Sequence, residues 1–137
     1  LRATWQAVAR MYNEEAAKYS ATMATGFALL SIDRENGSPS TTLGPKMGME
    51  ATSLTRTLKS MEERGLITRK KNPTDGRGVI IQLTKEGKEK RELSKETVLR
   101  FNETVKQHIS EEKLQHFMEV AEIINELITD KKIYNDK

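Results

Sequence analysis

Arg56, Lys59 and the hydroxyls of Thr52, Ser53 and Thr55 are the side chains of this sequence best suited to grip a partner. They crowd into one stretch, Glu50 to Gly65, and share one side of it. Leu54, Leu58 and Met61 fall at i, i+4 and i+7, so a helix there buries these three on one face. Thr52, Arg56 and Lys59 then point the opposite way, with Ser53 and Thr55 on the flanks. Small hydroxyls let a helix approach a surface closely and bond phosphates or base edges. The planar guanidinium of arginine matches two acceptors of a guanine, or a phosphate, and the major groove of B-DNA admits one helix. Two strand-like runs follow, Ile67–Lys71 and Val79–Leu83, around the turn-rich loop Asn72-Pro-Thr-Asp-Gly-Arg-Gly78. Lys46, Lys59, Lys70 and Lys71 suit phosphates, which set affinity and register rather than sequence choice. A helix with a polar, cationic outer face leading into a basic hairpin predicts a DNA-reading unit. Arg69, Lys70 and Lys71 fit a solvated strand face equally well.

Charge is distributed in keeping with that reading. The net charge is +3, but residues 40–84 hold eight basic and four acidic side chains, a balance of +4, and the remainder is −1. This is how an electrostatic footprint for nucleic acid looks, although ordinary surface scatter would also produce it. The 137 residues suffice for one domain with a sizeable core. The chain starts at Leu1 rather than Met, which predicts a few native residues ahead of it. Absence of cysteine removes disulfides, thiolate zinc sites and cysteine redox sensing. The longest apolar runs are a few residues, so no membrane span is expected, and the composition fits a cytoplasmic protein.

Enzymatic chemistry has no foothold. No nucleophile–base arrangement, glycine-rich phosphate loop or paired-carboxylate motif is legible. His108 and His116 are the two histidines, the latter near Glu112 and Glu119. They suit solvated or core positions better than a metal site, so no metal and no cofactor are expected.

The elements that must position the Glu50–Arg64 helix follow from periodicity. Residues 1–20 predict a helix with Trp5, Val8 and Tyr12 on one stripe, continued by Ala16 and Tyr19. Residues 22–35 predict a second, with Met23, Phe27, Leu30 and Ile32 inward, ended by Asn36-Gly-Ser-Pro39. A short helix over Pro39–Met47 comes next, with Ser38 as its cap and Pro39 at its first position. Gly44-Pro45 lies inside it and predicts a kinked, shortened or late-starting helix. Gly48 makes the turn into the Glu50–Arg64 helix, and Gly65 ends that helix in a left-handed cap. Thr84 caps a long, highly charged helix to about His108, and Ser110-Glu-Glu112 starts the last one. There Leu114, Phe117, Ala121, Ile124 and Ile128 repeat at 3, 4, 3 and 4 residues, a heptad seam. Such a broad apolar stripe on a terminal helix predicts a homodimer interface shared with the Trp5–Tyr19 helix; packing within one subunit is the alternative. The fold class is mainly α with a small β-hairpin wing, in the order α-α-α-α-β-β-α-α.

The order and spacing of Thr52-Ser-Leu-Thr-Arg56, Met61-Glu-Glu-Arg-Gly-Leu-Ile-Thr-Arg69, Asp75-Gly-Arg-Gly78 and Leu83-Thr-Lys-Glu-Gly87 resemble the MarR-type winged helix-turn-helix transcription regulators. The resemblance covers essentially the whole chain. It implies one domain over 1–137, with a winged helix-turn-helix lobe at 38–84 and a helical dimerisation region at 1–36 and 85–137. It implies that Thr52, Ser53, Thr55 and Arg56 touch bases and phosphates, that Arg77 reaches the minor groove, and that Asp75 and Arg69 brace the wing. The dimer region it implies contains Trp5, Val8, Tyr12, Leu114, Phe117, Ala121, Ile124 and Ile128. The expected partners are double-stranded DNA bearing a pseudo-palindromic operator, a second copy of the chain, and a small aromatic or lipophilic effector received near Tyr19, Met23 and Phe27; the expected action is repression. Gly44-Pro45 departs from the family pattern, and the wing loop is short. A winged helix used for non-sequence-specific nucleic-acid binding or for protein contact stays open beside this reading.

Overall fold

In the computed structural model, residues 1–74 and 78–134 are described. The elements run α1 (Arg2–Ala17), α2 (Met23–Ser31), β1 (Ser38–Pro39), α3 (Ser40–Met47), α4 (Ala51–Glu63), β2 (Ile67–Lys71), β3 (Val79–Leu83), α5 (Lys85–His108) and α6 (Glu111–Thr129). The mainly helical class with a hairpin wing is as expected, with a strand added before α3. Two compact units divide the chain, Leu1–Val98 and Leu99–Lys137, the boundary falling within α5.

In the first unit the core gathers Ala28, Leu29 and Ile32 from α2 and its end, Leu43 from α3, and Leu54, Leu58 and Met61 from α4. Leu66, just past α4, and Ile67 and Ile81 of the sheet complete it. The i, i+4, i+7 stripe of α4 is therefore what anchors that helix. The sheet is antiparallel in the order β1-β3-β2, with Ile67 opposite Leu83, Arg69 opposite Ile81 and Lys71 opposite Val79. Helix α1 meets α2 through the rings of Tyr12 and Phe27, edge to face with centroids 5.6 Å apart. Asn13 adds a polar tie, its Oδ1 accepting from the Met23 amide at 2.9 Å.

Three expectations are corrected. Helix α1 ends at Ala17 and α2 at Ser31, earlier than periodicity suggested. Past α2 the chain is diverted by Asp33, whose carboxylate accepts from the amides of Glu35 at 3.0 Å and Asn36 at 2.7 Å. Ser38 does not cap α3. Ser38 and Pro39 instead pair with Ile81 and Ile80 as β1, and the Ser38 hydroxyl accepts from the Asp33 amide at 2.9 Å. Helix α3 runs through Pro45 to Met47. The ring removes the helical bond to the carbonyl of Thr41, an exposed residue. Gly44 is buried, and a side chain there would crowd the Met49 carbonyl, 3.3 Å from its Cβ.

The second unit holds the rest of α5 and all of α6. The Ser110 hydroxyl caps α6, accepting from the Lys113 amide at 3.2 Å, as its sequence predicted. None of α6 is fully buried, and Phe117, Met118, Val120, Ile123 and Ile128 are exposed.

Candidate nucleic-acid interface

Two glycine caps bracket the reading helix. At the end of α3 the Gly48 amide reaches the Pro45 carbonyl at 3.3 Å and the Met49 amide reaches Gly44 at 2.9 Å. At the end of α4 the Gly65 amide reaches Glu62 at 3.0 Å and the Leu66 amide reaches Met61 at 2.9 Å. Both are Schellman motifs, which need a left-handed residue just past the helix, and Gly48 and Gly65 stand at φ +63° and +74°. Helix α3, the Gly48 turn and α4 thus form a helix-turn-helix in which the direction of α4 is fixed at both ends by local backbone bonds.

Between those caps α4 is sharply two-sided. Leu54, Leu58 and Met61 are buried, whereas Thr52, Ser53, Thr55, Arg56 and Lys59 are all exposed on the outer side. The Thr55 hydroxyl donates back to the Ala51 carbonyl at 2.8 Å, which leaves its lone pairs outward. On β2 Ile67 alone is buried, and Arg69, Lys70 and Lys71 are exposed. Thr52, Ser53, Thr55, Arg56 and Lys59 thus share the exposed side of α4, and Lys71 is exposed at the end of β2. Arg77 and Asp75 lie outside the described residues.

Two basic residues are engaged elsewhere. The Lys46 ammonium donates to the Ser31 carbonyl at 2.8 Å, capping the end of α2 rather than standing free for phosphate. The Arg69 Nε lies 3.2 Å from the Glu62 carboxylate, so among the described residues its ion-pair partner is on α4. Both side chains are a third to a half exposed, so the pair contributes little to stability, about 0–1 kcal/mol. Its role is geometric, linking the first strand of the wing to the last turn of α4.

Behind this surface lies a cavity of about 60 Å³, within the first unit. Tyr19, Met23 and Phe27, the residues named for an effector, line it, and so does Tyr12, placed earlier in the dimer stripe. Sequence reasoning missed the opposite wall: Lys90, Leu93, Ser94 and Thr97 of α5, and Arg64 and Leu66 past α4. The Lys90 ammonium sits 5.9 Å from the centroid of the Tyr19 ring, a cation–π contact. Burial pushes the Tyr12 phenol above its ordinary value.

A sequence model of the MarR family matches residues 21–79, which contain α2, α3, α4, β2 and the start of β3. That match spans somewhat less than half of the chain. Over 78 residues it is 31% identical to the uncharacterized HTH-type transcriptional regulator YdgJ of Bacillus subtilis (strain 168), covering 57% of this chain and 48% of that one. It thus spans about half the length of that relative. Among solved structures it superposes on the S. aureus MepR–DNA complex with a TM-score of 0.79 at 19% identity, covering 92% of this chain and 93% of that one. It also superposes on the PcaV transcriptional regulator from Streptomyces coelicolor in complex with its natural ligand, with a TM-score of 0.78 at 20% identity over 91% and 88% of the two chains. These likenesses establish the MarR winged-helix fold.

Proposed function

We propose that this chain is a member of the MarR family and a sequence-specific DNA-binding transcriptional regulator. It acts as a homodimer on a pseudo-palindromic operator, as a repressor released by a small aromatic or lipophilic effector. Residues 38–84 form the reading lobe, and residues 1–36 and 85–137 the dimerisation region. The observation that carries the reading is the two-sidedness of α4. Its apolar stripe is consumed by the core, and its hydroxyl and cationic side chains are exposed, with a basic strand following the helix. No helix among the described residues is long and apolar enough to cross a membrane.

Support for the finer parts comes from separate places. A fold neighbour is a DNA complex, and the relative YdgJ is described as a transcriptional regulator. For the dimer, Trp5 is 57% exposed and Phe117 60%, on helices whose apolar stripes have no fully buried member. For the effector, the cavity combines aromatic rings with the phenol of Tyr12 and the ammonium of Lys90, and another fold neighbour holds its natural ligand. The test is selection of bound duplexes from a random pool, followed by footprinting. Two protected half-sites about one helical turn apart support the reading. A single asymmetric half-site argues against the dimer, and recovery of no common sequence argues for the non-specific alternative.

A further inference from the structure

Thr84 stands at the junction of three elements that the reading surface depends on. It follows β3, precedes α5, and touches the end of α4. Its hydroxyl accepts from the Gly87 amide at 3.0 Å, which is the ordinary duty of a helix cap. The same hydroxyl donates to the Gly65 carbonyl at 2.6 Å, and the Thr84 amide donates to the Leu66 carbonyl at 3.0 Å. Gly65 and Leu66 are the two residues whose amides close the Schellman cap of α4. Gly87 makes room for this contact, since a Cβ there would lie 2.0 Å from the Leu66 carbonyl oxygen. A helix cap needs only an acceptor. The donated bond to Gly65 is an additional tie, and it fixes the end of α4 from outside α4.

We propose that Thr84 is a positioning residue for DNA reading, its hydroxyl clamping the end of α4 to the start of α5 and so setting how α4 is presented to the groove. The proposal rests on the DNA-binding function proposed above. Base-edge contacts demand a fixed helix direction, because they are short and directional. Phosphate contacts by flexible lysines tolerate a change of angle. Loss of the clamp therefore lowers discrimination more than it lowers affinity for arbitrary DNA.

Three substitutions separate clamping from capping in the full chain. Thr84→Ser keeps both the donor and the acceptor. Thr84→Val removes both at nearly constant shape. Thr84→Asp keeps a strong cap for α5 but presents an acceptor-only carboxylate to the Gly65 carbonyl. The measurement is the ratio of affinities for the selected duplex and a scrambled duplex, at one salt concentration and below each variant's melting transition. The ratio is insensitive to the unfolded fraction and to the added charge, which act on both duplexes alike. The expected result is a ratio lowered about fivefold or more in Thr84→Val and Thr84→Asp, and kept within about twofold in Thr84→Ser. An unchanged ratio in Thr84→Asp shows that Thr84 is a cap alone and overturns the proposal. If Thr84→Val is unfolded, Thr84→Asp decides by itself. A wild-type chain with no preferred duplex overturns the functional reading, and this proposal with it.

Discussion

Arg56 and Lys59 project from the same exposed side of α4, but their chemistry assigns them different work. Arg56 has the bidentate fork, so Arg56→Ala should cost about 1–3 kcal/mol on the preferred duplex and relax the choice of one base pair. Lys59 offers a point charge, so Lys59→Ala should weaken all duplexes alike and lower the salt slope by about one. Binding titrations on a panel of single-base variants distinguish the two. Asp33 supports a different prediction. Amide bonds from Asn36 and Glu35 hold its carboxyl below the ordinary carboxylate value. The folded state thus holds that proton less tightly than the unfolded chain. The stabilisation is complete above the unfolded carboxylate's titration and is lost as pH falls through the depressed folded value. Thermal melts of wild type and Asp33→Asn from neutral to acid pH should show the wild type losing more stability. Parallel curves would remove Asp33 from the account.

At the scale of elements, α4 was legible because its evidence is local. Leu54, Leu58 and Met61 mark the buried side, Gly48 and Gly65 mark the caps, and each signal lies within one turn of what it specifies. The caps of Thr84 and Ser110 were legible for the same reason. Strand β1 was not, because two residues have no periodicity, and Ser38-Pro39 reads by itself as a cap and first helical residue. Pairing with Ile81 and Ile80, more than forty positions away, decides otherwise. The far wall of the cavity and the Thr84–Gly65 bond were hidden likewise, since only tertiary packing sets α5 against residues 64–66. Helix α3 carries a testable cost of this kind. Pro45 deprives the Thr41 carbonyl of its helical donor, so Pro45→Ala should raise stability by up to about 3 kcal/mol in denaturant titrations. Lowered stability would mean that the proline's restriction of the unfolded chain outweighs the missing bond.

At the scale of the whole molecule, the proposed assembly joins a reading lobe to a second copy of itself. Phe117, Met118, Val120, Ile123 and Ile128 of α6 are exposed, and a partner surface of the same kind would cover them. Sedimentation at micromolar concentration should give twice the 15.6 kDa chain mass, and Phe117→Glu should shift it toward one chain. A wild-type monomer would sever the reading lobe from the paired half-sites. Whether α4 reads sequence is tested most directly by a salt titration of binding to the selected duplex and to a scrambled one. The expected preference is about 10³-fold or more near physiological salt, with the selected duplex retained where the scrambled one is released. Two coincident curves, falling equally steeply with salt, would contradict it.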